Sequence, residues 1–145
     1  METWELAARE SIRETVAAYT HLVDTGRIDD VVALFADDGT LEAGDRAPAR
    51  GHAEIREFFL GTRDRLASSA TRPLIRHHVS NLRIDVESRE AATAASYFLA
   101  ITERGPDHWG RYRDRFVARD GRWLFLSRRA RVDGYAAGSV FRPAP

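Results

Sequence analysis

The sequence predicts an α+β domain in which helices pack on one face of a curved, mostly antiparallel sheet. Two observations carry that prediction. Apolar residues recur at helical spacing in the first half of the chain, and after Pro73 they alternate with polar ones. A tight-turn dipeptide, Asp120-Gly121, then separates the last two strand-like runs. Helices grouped ahead of strands, instead of alternating with them, give the order of an α+β protein.

The elements follow in turn. Residues 3–24 read as a helix, because Ile12, Val16, Tyr19 and Val23 fall at spacings of 4, 3 and 4 along one stripe. Gly26 stands where a left-handed residue ends such a helix. Asp29 is placed to cap a short second helix carrying Val32, Leu34 and Phe35. Asp38-Gly39 signals a turn before a short strand near Thr40–Glu42, and residues 43–50 read as a loop. A third helix covers 52–67, with Ile55, Phe58, Phe59 and Leu66 on one side. Leu82, Ile84 and Val86 alternate with Arg83, Asp85 and Glu87 as in a half-buried strand. Further strands run over 92–103, 109–119 and 123–132. The whole chain, 1–145, is expected to form one domain, with 1–7 and 134–145 as flexible ends or, for the tail, a flap.

Composition narrows the function. The 145 residues hold 22 Lys+Arg against 22 Asp+Glu, so the long-range field of a nucleic-acid or polybasic membrane binder is missing. Without cysteine there is no disulfide scaffold, no thiol nucleophile and no thiolate metal site. No apolar run approaches the ~20 residues that cross a bilayer, and METWELAARES is acidic with no apolar core, so a cytoplasmic protein is expected. Phosphate loops, dinucleotide fingerprints, nucleophile elbows and His-Glu-x-x-His are all absent. A site without cofactor or metal, working by acid–base chemistry, is the simplest expectation.

Four segments carry a family resemblance: YTHLVDTGRIDDVVALFADDGTLE, GHAEIREFF, RHHVSN and GRYRDRFVARDGRW. In this order the chain resembles the SnoaL-like branch of the nuclear-transport-factor-2-like superfamily over residues 8–133. The resemblance implies a cone-shaped barrel, three N-terminal helices closing a strongly bent sheet around one deep apolar pocket, and a homodimer or larger homo-oligomer. Its relatives include scytalone dehydratase, bile-acid 7α-dehydratase and polyketide cyclases, but also modules that only bind or assemble.

The resemblance also selects residues. Dehydratase relatives place a pocket aspartate after a Tyr-x-x-x-x-Asp spacing, which Tyr19 and Asp24 match. His21, one helical turn before Asp24, is a competing local partner for it. The family's His-x-x-x-Asn selects His77 with Asn81, whereas strict alternation puts His78 on the face of Leu82, Ile84 and Val86. The two agree only if a bulge near Asn81 shifts the register by one. His77 is therefore the expected base, with His78 as the alternative. Alternation faces Tyr112, Asp114 and Phe116 inward and Arg111, Arg113 and Arg115 outward. An inward Asp114 is either a protonated donor to the substrate or neutralised by Arg128 or Arg129 across the hairpin. Arg128 matches a recurrent family arginine expected at the pocket mouth, while His108 and His52 read as surface histidines.

The expected function is a cofactor-independent lyase or isomerase acting on a small apolar cyclic or polyketide-like molecule. Dehydration by an Asp24–His77 dyad assisted by Tyr19 comes first. Tyr112, Asn81, Asp114, Arg128 and His78 are the candidate substrate contacts. Cyclisation or isomerisation, and a non-catalytic binding module, are the alternatives.

Overall fold

The computed structural model describes residues 1–68 and 74–145, so Pro73 lies outside the described residues. The helices are α1 (Thr3–Asp24), α2 (Ile28–Val32) and α3 (Gly51–Ala67). The strands are β1 (Phe35–Ala43), β2 (Ala49–Arg50), β3 (Arg76–Val86), β4 (Ala91–Thr102), β5 (Gly105–Arg119) and β6 (Arg122–Tyr135). They form one sheet in the order β2-β1-β6-β5-β4-β3. All neighbours are antiparallel except β1 and β6. The sheet is strongly curved but open, with β2 and β3 at its edges.

The stripe of α1 is buried at Ile12, Val16 and Tyr19. Two long-range bonds fasten it to the sheet: Thr15 Oγ1 donates to the Trp123 carbonyl at 2.7 Å, and Arg9 Nη1 to that of Ile84 at 2.7 Å. The helix ends as expected at Gly26. Its N–H returns to the Val23 carbonyl and that of Arg27 to Leu22, which satisfies the last turn.

Three expectations are corrected. Asp29 does not cap α2; it lies in the first turn and pairs with Arg56 of α3. Leu34 and Phe35 leave that helix, which stops at Val32, yet both stay in the core because β1 starts at once. Asp38-Gly39 is not a turn. β1 runs through it as an irregularity in its register with β6, and residues 49–50 of the expected loop pair with β1 as an edge strand.

The Asp120-Gly121 turn is present, with φ of 51° and 74° at the two residues, the sign a tight hairpin needs. Bends in the long strands supply the curvature. At Gly110 the β5–β6 register shifts, and a Cβ there would stand 1.9 Å from the Arg131 carbonyl oxygen. At Asn81, φ is +54° and the β3–β4 register also shifts. Ser80 and Asn81 both face outward, and parity reverses across them. His77 and Val79 therefore share the inner face with Leu82, Ile84 and Val86.

Candidate active site

The concave side of the sheet, α1 and α3 enclose a cavity of about 680 Å³. Tyr19 and Asp24 of α1, Phe58 and Phe59 of α3, His77 of β3 and Tyr112 of β5 are among its walls.

Asp24 closes α1 and is only 8% exposed at its side chain, which points across to β3. Its Oδ1 lies 2.5 Å from His77 Nδ1, and its Oδ2 accepts the His77 backbone N–H at 2.8 Å. Two bonds from one carboxylate fix both the ring and the strand carrying it. A carboxylate at Nδ1 selects the tautomer protonated there, so Nε2 is left as the acceptor. His21 is exposed and plays no part in this contact.

Tyr19 and Tyr112 are buried, and their rings meet edge to face at 6.2 Å. Burial pushes the Tyr19 phenol up to about 12, against the opposing pull of Arg128, and moves Tyr112 in the same direction. Both are thus neutral donors at ordinary pH. Among the described residues neither hydroxyl has a protein hydrogen-bond partner. Neither is sealed off either, the fully enclosed unpartnered atoms being Ser96 Oγ and Arg128 Nη1.

Beneath them lies a buried ion pair. Arg128 donates from Nε and Nη2 to Asp114 at 2.9 and 3.1 Å, with both side chains fully enclosed. Its guanidinium also stacks 4.2 Å from the Tyr19 centroid and 3.8 Å from that of Tyr112. Burial works against the guanidinium's charge, but Asp114 and the two phenols outweigh it and raise its pKa. Arg128 as a pocket-mouth residue is therefore corrected, and so is Asp114 as a substrate contact. Neither lines the cavity. Their pairing is the neutralisation across the hairpin that the sequence left open, since the two are register partners on β5 and β6.

Two more candidates are displaced. His78 is exposed on the convex face, because its neighbour His77 has the inward position. Asn81 is exposed at the bulge, where it supplies a left-handed backbone and touches no cavity wall.

Sequence reasoning missed His108. Read as a surface histidine, it is 7% exposed and lines the cavity beside His77, with ring centroids 6.1 Å apart. Its Nδ1 is 2.7 Å from Asp107 Oδ2, which also accepts Ser139 Oγ at 2.7 Å. Phe141 stacks on the ring at 4.8 Å. Desolvation lowers its pKa, though Asp107 opposes the shift. The tail that holds Ser139 and Phe141 thus covers this corner of the cavity. The Asp-His dipeptide was the available signal, but β5 begins at Gly105 and not at Trp109, so both residues belong to a strand. His52 is also half-buried, its Nε2 2.8 Å from the Phe35 carbonyl. Among the described residues no group of three or more His, Cys, Asp or Glu is placed to hold a metal ion. No described helix is long and apolar enough to cross a membrane.

Three helices on a bent sheet, with a carboxylate–imidazole pair in the cavity between them, define a class of helix–sheet cones built around an internal chamber. The chain belongs to the SnoaL-like domain family, whose model matches residues 4–129. It is similar to a protein from Novosphingobium aromaticivorans DSM 12444 provisionally called a scytalone dehydratase. That similarity is 26% identity over 94% of this chain and 91% of that one, with a TM-score of 0.80. A protein from Catenulispora acidiphila solved in complex with S-DNPA is 25% identical over 88% of this chain and 95% of that one, with a TM-score of 0.75. ActVI-ORFA of Streptomyces coelicolor, 20% identical over 86% and 97% of the two chains with a TM-score of 0.74, shares the fold. No curated protein is significantly similar in sequence.

Proposed function

We propose that this protein is a cofactor-independent acid–base lyase, a dehydratase acting on a small, mostly apolar cyclic or polyketide-like molecule. The observation that carries the reading is the Asp24–His77 contact inside the cavity. Its support from relatives is the provisional dehydratase name of the Novosphingobium protein.

In this reading His77 Nε2 removes a proton from the carbon next to the substrate's carbonyl. Asp24 holds the ring and stabilises the imidazolium that forms. Tyr19 and Tyr112 donate to the carbonyl oxygen as negative charge gathers on it. The carbon–oxygen bond to the β-hydroxyl then breaks, a carbon–carbon double bond forms, and the proton held by His77 leaves with the hydroxyl as water. His108, kept neutral by desolvation, presents a second imidazole to the same space. The apolar walls exclude bulk water, which strengthens each of these interactions.

The test is a panel of cyclic β-hydroxy ketones followed by the absorbance of the conjugated product. Turnover should fall on the order of a hundred- to ten-thousand-fold in His77→Ala, the range for loss of a positioned base. The folded state, read by circular dichroism, should persist. Equal turnover by His77→Ala and the wild type would remove the dyad from the reaction.

A further inference from the structure

The cavity lining is unevenly charged. Deep inside, the Asp24 carboxylate has the His77 imidazole, and the other lining imidazole, His108, is held by Asp107, which is not itself a wall residue. At the rim, three exposed arginines, Arg46, Arg63 and Arg65, accompany one carboxylate, Asp45. Arg63 lies 3.6 Å from Asp64. Among the described residues, Arg46 and Arg65 have no carboxylate within ion-pair distance.

Arg46 is held against the wall. Its guanidinium carbon lies 4.0 Å over the Phe58 ring, and Nη1 donates to Thr62 Oγ1 at 3.2 Å. Phe58 and Thr62 line the cavity too, so the guanidinium is laid along the entrance. Partial desolvation and the like charge of Arg65 both hold its pKa below the usual arginine value. A chain with no net charge thus places two uncompensated guanidiniums on the edge of an apolar chamber. An oxyanion arriving there would relieve their repulsion, and the planar arginine fork matches carboxylate and related groups in two-point geometry.

We infer that Arg46 and Arg65 form an oxyanion subsite at the rim, so that the molecule taken up is an amphipathic acid: an apolar ring system inside, an anionic group at the mouth. This deepens the proposed function by naming the substrate's charge. It rests on the cavity being the ligand site and not on proton transfer by His77.

Two fluorescent probes with one aromatic frame test it. 8-Anilinonaphthalene-1-sulfonate carries the anion, and N-phenyl-1-naphthylamine lacks it. Each is titrated into the wild type, into Arg46→Gln/Arg65→Gln, and into Arg111→Gln/Arg131→Gln as a control on exposed arginines of the convex face. The rim variant should lose roughly tenfold in affinity for the sulfonate, the scale of a charge-assisted hydrogen bond. Its affinity for the neutral probe should not change, and the control should match the wild type with both. Equal effects on the two probes, no effect on either, or the same loss in the control would each overturn the subsite, as would failure of both probes to bind the wild type. Loss of the rim effect with turnover still dependent on His77 would sink the subsite alone, and the reverse pattern would sink the mechanism alone.

Discussion

At the scale of single residues, much of the site rests on carboxylates that each orient a cation or an imidazole. Asp24→Asn keeps the size of the side chain but can offer its amide to Nδ1, which favours the wrong tautomer. Turnover on the ketone panel should fall at least about a hundredfold with substrate affinity little changed; wild-type turnover would show that the tautomer is irrelevant. Asp114 has a different task. Asp114→Ala leaves the Arg128 charge buried without a partner, which costs about 3–5 kcal/mol. Urea denaturation should show that loss, and Asp114→Leu combined with Arg128→Met should recover much of it. A small effect of Asp114→Ala would mean water reaches Arg128. For His108 the folded pKa is depressed below the unfolded value of about 6.5. The unfolded chain therefore binds the proton first as the pH falls. The stability contributed by neutral His108 is present above about 6.5 and is lost as the pH drops through the lower folded value. Thermal midpoints measured from pH 7.5 downward should fall more steeply for the wild type than for His108→Gln; parallel curves would contradict this.

At the scale of elements, the β3 bulge decides which histidine the cavity receives. Asn tolerates the left-handed region better than other side chains, while a β-branched residue resists it. Asn81→Gly should keep stability and turnover. Asn81→Val should cost about 1–2 kcal/mol and reduce turnover, since a strand without the bulge presents His78 in place of His77. Equal turnover in both variants would show that the bulge does not set His77. The same element explains one success and one error of sequence reasoning. The family spacing pointed to His77 and required a bulge, which is present. The asparagine chosen as a ligand contact turned out to be the residue that makes the bulge. β1 shows the opposite case. Asp-Gly is a sound hairpin signal, yet here β1 continues past it: parallel pairing with the distant β6 holds at Phe35 and resumes at Thr40, and the dipeptide falls in the register shift between them.

At the scale of the whole molecule, Tyr97 and Trp109 stand 50% and 41% exposed on the convex face of β4 and β5. They fit the homodimer expected from the family resemblance. Sedimentation velocity should give twice the chain mass for the wild type and the single-chain mass for Trp109→Lys; a monomeric wild type would end that expectation. The order of helices and strands, the inward Tyr112 and outward arginines of β5, and the turn at Asp120-Gly121 were all legible, because periodicity and turn chemistry are local. Asp24 and His77 were paired only through the family resemblance; nothing local in the chain brings together two residues 53 positions apart, and their 2.5 Å approach is a product of the tertiary fold. His108 was misplaced for a related reason: nothing local says that Ser139 and Phe141 will fold over a residue some thirty positions earlier.

By itself, then, the sequence determined the α+β class and the core stripes, since each depends on neighbours within a few turns or a single strand, while the candidate residues of the site came from the family resemblance. Tertiary structure decided the rest. It chose His77 over His78, buried Arg128 with Asp114 beneath two phenols, and enclosed His108. Each of those outcomes depends on the curvature and register of a sheet whose strands come from distant parts of the chain.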